Sequence, residues 1–534
     1  MLTCARLTEP DTTPSGDRNR PAGLVSDGLL WVTILSTVGI CAPFFRYIQW
    51  LGDEGIVLHG ADRILRGERL YADFFEFLPP GSFLIGAAWM QLIGSSFASM
   101  RVLAIGVIVA IAALTYTAAR LASGRRVLAA LLAITWAVQS QGAWTVISHH
   151  WFTTVASMAS AVALLAALGG ARDRHIAIFL AGLFAGIAAM TTPVQGTLLC
   201  LATLGLAATL LDRPRAIFGV VGGIATFPIA VLAYLAVTSS IHAAFYDAIV
   251  FPAQQYTDIE IVRFGAFTAP HHAPAAAFLP LTFALTATAA ALDGRALWRE
   301  PRFRGALALA VVALLSAFPR PDLAHINFVL PLACPLFALV TGRLLARLGR
   351  PVRFAVSAAL IALVGVIVGY ATVKKIVPVV AGPLRPVSTV RGVFLAQPSP
   401  WIETVAALVA DIERTPATEP FFFYPYSPML PYLTAREHVA PHDVMIPGHT
   451  TREQYREICL RVIRDARWIV IDRSWTNPRL LRALYPNMRV LDPPEMLELE
   501  AALRSAFDQV VHASPIFELR RRAAGATVAS CSRI

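Results

Sequence analysis

The chain has 534 residues, of which 56% are hydrophobic and 15% charged, and its formal net charge is +11. Soluble globular proteins carry about 25% charged residues, so this composition excludes an ordinary soluble protein and indicates several membrane-spanning helices. The basic residues are spread over short loops and form no block with interleaved aromatic residues, which argues against a nucleic-acid partner.

The N-terminal residues 1–27 are polar and are predicted to form a disordered cytoplasmic tail. The apolar segments beyond them predict about eleven transmembrane helices. No small-residue cleavage site follows the first segment, which is therefore interpreted as an uncleaved span. The predicted spans cover residues 28–48, 98–119, 127–143, 151–170, 176–192, 195–211, 216–238, 274–292, 305–318, 326–342 and 354–373.

The arginines indicate the orientation of these spans. They concentrate in the N-terminal tail and in one set of alternate loops, whereas the opposite loops hold only Arg63, Arg66, Arg69, Arg263 and Arg320. Because cytoplasmic loops carry the excess of positive charge, the N-terminus is expected to be cytoplasmic. An odd number of crossings then places residues 376–534 outside the cytoplasm, as expected for a multi-pass protein of the bacterial inner (cytoplasmic) membrane.

The first outward loop, residues 49–97, opens with Gly52-Asp53-Glu54-Gly55. An apolar stripe over residues 54–66 predicts an amphipathic helix on the outer membrane surface, ended by Gly67. The following apolar stretch, residues 81–94, is too short to span and predicts a second interfacial or re-entrant helix.

Asp53 and Glu54 admit two interpretations. Asp53 precedes a helix, where an aspartate side chain commonly acts as an N-cap, and acidic residues suit a helix N-terminus. Taken alone, the pair favours this capping role. The alternative is a general base, because a carboxylate at the membrane surface can meet a lipid-borne substrate there. One carboxylate can serve both purposes.

The segment Phe318–His325 lies at the outer end of a predicted span. Arg320 can bind a phosphate bidentately and His325 can donate to one. The alternative is a loop in which Arg320 and Asp322 pair only with each other. Ionisable groups clustered at a helix mouth favour a functional role, which makes the two interpretations about equal.

Four further residues are weaker candidates. His149 and His150 also stand at an outer helix end, but adjacent histidines point apart on a helix, so interfacial anchoring is favoured over a metal site. The second long outward loop, 239–273, carries carboxylates including Glu260 and offers Arg263 for a phosphate contact, an ordinary solvated charge being favoured. Tyr71 is expected to pack the first loop onto the membrane, with stacking on a sugar as the alternative.

From about residue 376 the composition changes and predicts a small soluble α/β domain without a nucleotide-binding glycine loop. Cys459 and Cys531 both lie in this polar part and are able to pair there. Its predicted strands are 421–426 and 468–472, and its predicted helices are 451–466 and 493–510.

Three stretches of sequence carry a resemblance to a known family: Asp53-Glu54-Gly55, the run ADRILRGERLYADFFEFLPPG that follows, and RPDLAH at 320–325. Together they resemble the GT-C class of integral-membrane glycosyltransferases, in particular bacterial relatives of the protein O-mannosyltransferase and lipid A aminoarabinose transferase group. This resemblance implies a transmembrane domain over residues 28–375, with a large first outward loop, and an extracytoplasmic domain after it.

The resemblance also implies an activity. A hexose or pentose would move from a polyprenyl-phosphate-linked donor to a glycan, lipid or protein acceptor, with inversion, at the outer membrane face among membrane lipids. Asp53 maps onto the acidic catalytic residue of the family's first outward loop, with Glu54 beside it. Arg320 and His325, with Arg263, would stabilise the leaving phosphate. The sequence establishes no cofactor, and a divalent cation held partly by Asp53 and Glu54 remains possible.

Two alternatives belong to other functional classes. A transporter or flippase of lipid-linked sugars would carry charged residues near span midpoints and paired broken helices. A non-catalytic envelope-assembly protein would use its C-terminal domain to bind a partner and would depend little on Asp53 or Arg320.

Overall fold

A computed structural model describes residues 26–142, 144–211, 213–238 and 240–522, together with residues 531 and 534. The tail predicted at 1–27 lies outside the described residues, apart from Ser26 and Asp27. Asp27 begins the first helix, because its carboxylate accepts a hydrogen bond from Leu29 N at 3.3 Å.

The described chain is mainly helical, which confirms the predicted fold class. Its first part contains α1 (Gly28–Cys41), α2 (Glu54–Leu65), α3 (Gly81–Ile93), α4 (Phe97–Ser123), α5 (Arg126–Ser140), α6 (His149–Leu168), α7 (Arg174–Ala189), α8 (Pro193–Leu210), α9 (Arg213–Val237), α10 (Ile241–Phe245), α11 (Thr257–Glu260), α12 (Ala273–Asp293), α13 (Arg295–Trp298), α14 (Pro301–Ser316), α15 (Leu323–Val329), α16 (Cys334–Arg347), α17 (Arg350–Lys375) and α18 (Val377–Ala381). The π-helical turns Tyr246–Val250 and Pro252–Tyr256 join α10 to α11.

Each of the predicted spans contains one of these helices, and the protein is a multi-pass membrane protein. Within the described residues, 7 helices are long and apolar enough to cross a membrane: Phe97–Ser123, His149–Leu168, Pro193–Leu210, Pro214–Val237, Pro270–Asp293, Leu323–Arg347 and Arg350–Ala381. Shorter apolar helices occupy three more predicted spans, at Gly28–Phe44, Arg126–Ser140 and Arg174–Ala189.

The C-terminal part combines helices with two small sheets. Its helices are α19 (Pro400–Glu413), α20 (Met429–Thr434), α21 (Arg452–Asp465), α22 (Pro478–Leu484) and α23 (Pro494–Ala506). The strands are β1 (Arg385–Thr389), β2 (Gly392–Ala396), β3 (Phe421–Tyr424), β4 (Trp468–Asp472), β5 (Gln509–Ala513) and β6 (Phe517–Arg521). β1 and β2 form a hairpin, and the larger sheet has the order β3-β4-β6-β5, with β3 and β4 parallel. Cys459 and Cys531 form a disulfide.

The outward loops and the C-terminal part meet at one end of the helical bundle. Asn487 Nδ2 donates to Ile261 O at 2.7 Å, and Arg320 donates to Leu484 O at 2.9 Å. The arginine-rich loops form different ion pairs: Arg120 of α4 pairs with Asp27 at the start of α1, and Arg343 of α16 pairs with Asp293 of α12. The loops that were assigned to the same side by charge are therefore in contact.

Helix α2 differs from its expected setting. It forms over Glu54–Leu65, and Gly67 after it has φ +94°, as a helix-ending glycine commonly does. However, all residues from Glu54 to Arg63 are buried in protein. The helix packs on α3 and α20, and only its last residue, Leu65, is exposed. The apolar stripe predicted one buried face of the helix, and contacts with the C-terminal part help to bury the other.

Two glycines permit this packing. A Cβ atom at Gly55 would lie 2.2 Å from Met429 N, and one at Gly52 would lie 3.0 Å from the Tyr426 ring. Met429 N also donates to Leu51 O at 3.3 Å. The start of α2 is thus in backbone contact with the segment Tyr426–Met429, a contact that only glycine at position 55 allows.

Gly55→Ala tests this contact. Since the methyl group would overlap backbone atoms that cannot rotate away, we expect a loss of about 2–3 kcal/mol or more, seen as a lower melting temperature in detergent. Gly106→Ala in α4 is the control, because nothing lies within 4 Å of a Cβ atom there. Equal melting temperatures for the two variants would contradict the proposed backbone contact.

Candidate active site

Asp53 occupies the N-cap position of α2, but its side chain makes no capping hydrogen bond and its backbone is already helical, with φ −45° and ψ −37°. The carboxylate instead accepts a hydrogen bond from the hydroxyl of Tyr426. Its side chain is therefore available for a role that the favoured capping interpretation does not include.

Both positively and negatively charged side chains surround Asp53. Burial raises the pKa of Asp53 above its ordinary value, while the Tyr426 hydrogen bond and the charges of His325 and Arg320 oppose this rise and Glu260 adds to it. A carboxylate whose pKa is moved toward neutrality is better suited to accept a proton than an exposed one.

Arg320 is the centre of an ion-pair network beside Asp53. Its guanidinium donates to Glu260, to Asp322 Oδ2 at 2.9 Å and to the carbonyl of Leu484. Burial alone would lower the pKa of Arg320, but the two carboxylates outweigh it and hold that pKa above the ordinary value. The pairing of Arg320 with Asp322 that the sequence left open is present, with Glu260 as a second partner.

Aromatic rings and a histidine enclose this network. The Arg320 guanidinium lies 5.1 Å from the centre of the Tyr485 ring and 5.8 Å from that of Phe267. His449 Nε2 lies 3.3 Å from Glu260 Oε1. Burial would raise the pKa of Glu260, yet His449 and Arg320 keep it below its ordinary value, so this carboxylate is ionised.

Asp322 positions His325. One oxygen of Asp322 accepts from the backbone N of His325 at 3.0 Å, which caps α15, and the same oxygen lies 2.8 Å from His325 Nδ1. Burial opposes ionisation of Asp322, but His325 and Arg320 hold its pKa below the ordinary value. Because an ionised carboxylate only accepts hydrogen bonds, His325 Nδ1 carries a proton and Nε2 faces away from Asp322.

His149 and His150 adjoin this group. Ser148 caps α6 by accepting from His150 N at 3.2 Å, so both histidines sit on the first turn. The ring centres of His150 and His325 are 4.9 Å apart, and His150 stacks on Phe328 at 4.4 Å. The structure therefore brings Asp53, Arg320, Asp322, His325 and the two histidines together.

Glu54 is directed to a different partner. Arg101 donates to its Oε2 at 2.8 Å and Ile147 N donates to its Oε1 at 3.1 Å. Both carboxylate oxygens are occupied, and the pair is almost fully buried. Glu54 thus ties α2 to α4 and does not join the group around Asp53.

Tyr71 and Arg263 also lie apart from that group. Tyr71 is 5% exposed and its hydroxyl donates to Leu78 O at 2.6 Å, which closes the first loop on itself. Arg263 is exposed, and it takes part in none of the ion pairs around Arg320. Its loop nevertheless pairs with the Arg320 segment, since Gly265 N donates to Pro321 O at 2.8 Å.

The described residues give no support to a metal shared by Asp53 and Glu54. Among them, no group of three or more His, Cys, Asp or Glu side chains is arranged to hold a metal ion. Both Glu54 oxygens accept hydrogen bonds from Arg101 and Ile147 N, which directs this carboxylate away from Asp53.

Comparison with solved structures identifies the fold. The chain is similar to the crystal structure of ArnT from Cupriavidus metallidurans bound to undecaprenyl phosphate, with a TM-score of 0.54 and 13% identity over 94% of this chain and 99% of that chain. Further similarities are to the same protein in the apo state (TM-score 0.44, 12% identity, 94% and 99% covered) and to the arabinofuranosyltransferase AftD from Mycobacteria, solved by cryo-EM (TM-score 0.47, 15% identity, 94% and 40% covered).

The chain has a GT-C-type fold. This confirms the resemblance at the level of fold. No protein-family model matches the sequence, and no curated protein matches it in a sequence search.

From the sequence, Glu260 was only one of several carboxylates in the second outward loop, and Tyr426, His449 and Tyr485 were not candidates. These last three belong to the C-terminal part, where the sequence indicates buried strands and helices but not which side chains reach the site. One signal was present for Tyr426, because side chains just beyond the carboxyl ends of parallel strands often form sites in α/β folds.

Glu54→Gln separates the two adjacent carboxylates. The change leaves Arg101 buried without a counter-charge, so we expect a loss of about 3 kcal/mol or more in the free energy of unfolding. The melting temperature in detergent measures it. Glu403→Gln is the control, because Glu403 pairs with Arg385 where the two side chains are 56% and 46% exposed, and its loss should cost under about 1 kcal/mol. A fully stable but inactive Glu54→Gln protein would instead assign Glu54 to the reaction.

Proposed function

We propose that this protein is an inverting membrane glycosyltransferase that moves a sugar from a polyprenyl-phosphate-linked donor to an acceptor hydroxyl, with Asp53 as the base. The observation that carries the proposal is the grouping of a half-buried carboxylate, Asp53, with the Arg320–His325 network at the mouth of a membrane bundle. The fold similarity to ArnT bound to undecaprenyl phosphate supports the donor class.

In the proposed step, Asp53 accepts the proton of the acceptor hydroxyl. The acceptor oxygen forms a bond to the anomeric carbon of the donor sugar as the bond from that carbon to the phosphate oxygen breaks. The sugar is transferred with inversion, and polyprenyl phosphate leaves with the bonding electrons. Arg320 stabilises the charge that develops on the phosphate, and His325 does so in its imidazolium form, in which Nε2 carries a proton as well as Nδ1.

Phosphate binding would rearrange the network around Arg320. Three of its five N–H groups already donate to protein oxygens, and we propose that a bidentate phosphate takes the place of Glu260 or Asp322 at this guanidinium. Such an exchange costs little when the incoming group is also anionic and bidentate. It would draw Arg320 away from Glu260 or Asp322 only when donor is present.

The orientation of the site in the membrane is a further part of this proposal. We propose that the site and the C-terminal part face the extracytoplasmic side of a bacterial inner membrane, as the arginine distribution indicates. The disulfide Cys459–Cys531 supports this, since disulfides persist in oxidising compartments. The acceptor would then be a glycan, lipid or protein of the cell envelope.

Asp53→Asn is the direct test of the base. We expect transfer, followed as polyprenyl phosphate released from a panel of synthetic polyprenyl-phosphate sugars, to fall by about a factor of 100 to 10,000, because the amide cannot take a proton. The variant should accumulate and melt like the parent.

The matched control is Asp73→Asn in the same loop. Asp73 forms a partly exposed pair with Arg69 at 2.8 Å, so its loss should leave transfer nearly unchanged. Near-normal transfer by Asp53→Asn would remove Asp53 as the base. Intact translocation of a lipid-linked sugar with no transfer by the parent protein would favour the flippase alternative.

Arg320→Gln tests the phosphate contact separately from chemistry. Loss of a charge-assisted hydrogen-bond donor should raise the Kd for undecaprenyl phosphate, measured by thermophoresis in detergent, by about tenfold or more. Arg263→Gln, which removes an exposed arginine from the neighbouring loop, should change that Kd much less. Equal effects of both variants would indicate that only general positive charge matters.

A further inference from the structure

Tyr426 reaches Asp53 from the far end of the sequence. Its hydroxyl donates to Asp53 Oδ1, and its side chain is 4% exposed. The ring lies against Gly52, where a Cβ atom would crowd it at 3.0 Å, and stands edge-on to Trp475 with ring centres 4.6 Å apart. The phenol is thus enclosed on both sides at the carboxylate.

The segment that carries Tyr426 is fixed at several points. It follows β3, whose four residues are all buried. Ser427 Oγ donates to Asp472 Oδ2 at 2.7 Å, which joins the ends of β3 and β4. Met445 N donates to Pro425 O at 3.0 Å. The carboxyl ends of two parallel strands therefore hold the hydroxyl in place before any substrate binds.

We propose that Tyr426 is a positioning residue of the transfer reaction, which holds the Asp53 carboxylate ionised and oriented toward the acceptor hydroxyl. This inference rests on the proposed role of Asp53 as the base. It makes the C-terminal part a component of the catalytic centre, rather than a module that only recruits an acceptor.

The groups that face Asp53 show why this hydroxyl matters. Tyr426 and Tyr485 approach from the C-terminal part, Glu260 and Arg320 from the outward loops, and His325 from α15. Among the described residues no second hydrogen bond to the Asp53 side chain is found. Burial raises the pKa of Asp53, and the Tyr426 hydrogen bond is the largest of the influences that lower it. The charge of Arg320 is already matched by Glu260 and Asp322.

The experiment is the pH dependence of transfer by Tyr426→Phe. Without the hydroxyl the Asp53 carboxylate is less stable, so its pKa rises and the acidic limb of the profile should move up by about one pH unit. At pH values below the acidic limb, transfer should fall about tenfold. At pH values above the acidic limbs of both the variant and the parent, the two proteins should transfer at similar rates. Transfer is measured with a polyprenyl-phosphate sugar that the parent protein uses.

Tyr432→Phe is the matched control. Tyr432 is also a buried tyrosine of the C-terminal part, but its hydroxyl donates to Ser95 O at 2.9 Å. This variant should keep the acidic limb of the parent. Replacement of Tyr426 by 3,5-difluorotyrosine, a stronger donor of similar shape, should move the limb downward and decides the matter if Tyr426→Phe does not accumulate.

The outcomes separate this inference from the proposed function. The positioning role is overturned if the acidic limb of Tyr426→Phe does not move, or if both phenylalanine variants lose transfer equally at every pH. In either case the proposed function still stands if Asp53→Asn is inactive. An active Asp53→Asn protein overturns both. A limb that moves only with changes at position 426 supports the inference.

Discussion

The close approach of one helix end to a distant backbone segment is the constraint on which the site depends. Gly52 and Gly55 flank the acidic pair, and at both positions the segment Tyr426–Met429 occupies the space that a side chain would need. Without that approach the hydroxyl of Tyr426 would not reach Asp53, and α2 would lose the cover that buries it. Stability and the candidate chemistry thus depend on the same contact.

The two carboxylates between these glycines, Asp53 and Glu54, contact different partners. Glu54 points to Arg101 and Ile147 N, where a buried charge pair fastens the helix to the membrane bundle. Asp53 points to Tyr426 and the Arg320–His325 network. A helix turns its successive side chains by about 100°, so neighbouring residues at the start of α2 point in different directions. One of them anchors the helix and the other remains available for chemistry.

Much of the fold was predictable from the sequence, because long apolar runs and loop arginines are local signals. The strands around Phe421 and Trp468 were also visible as short buried runs. The burial of α2 was not predictable, since its apolar stripe cannot reveal contacts with residues more than 320 positions away in the sequence. Likewise the partners of Asp53 from the C-terminal part follow from tertiary packing alone. The Arg320–Asp322–His325 cluster was accessible because all three lie within six residues and around one helix start.

We propose that Asp53 and the Arg320–His325 network form one reaction centre for a lipid phosphate. A structure of the protein with bound undecaprenyl phosphate would test this most directly. We expect the phosphate between Arg320 and His325 Nε2, with Arg320 released from Glu260 or Asp322 and Asp53 facing the bound phosphate. A phosphate bound on another surface, with the ion pairs of Arg320 unchanged, would contradict this proposal.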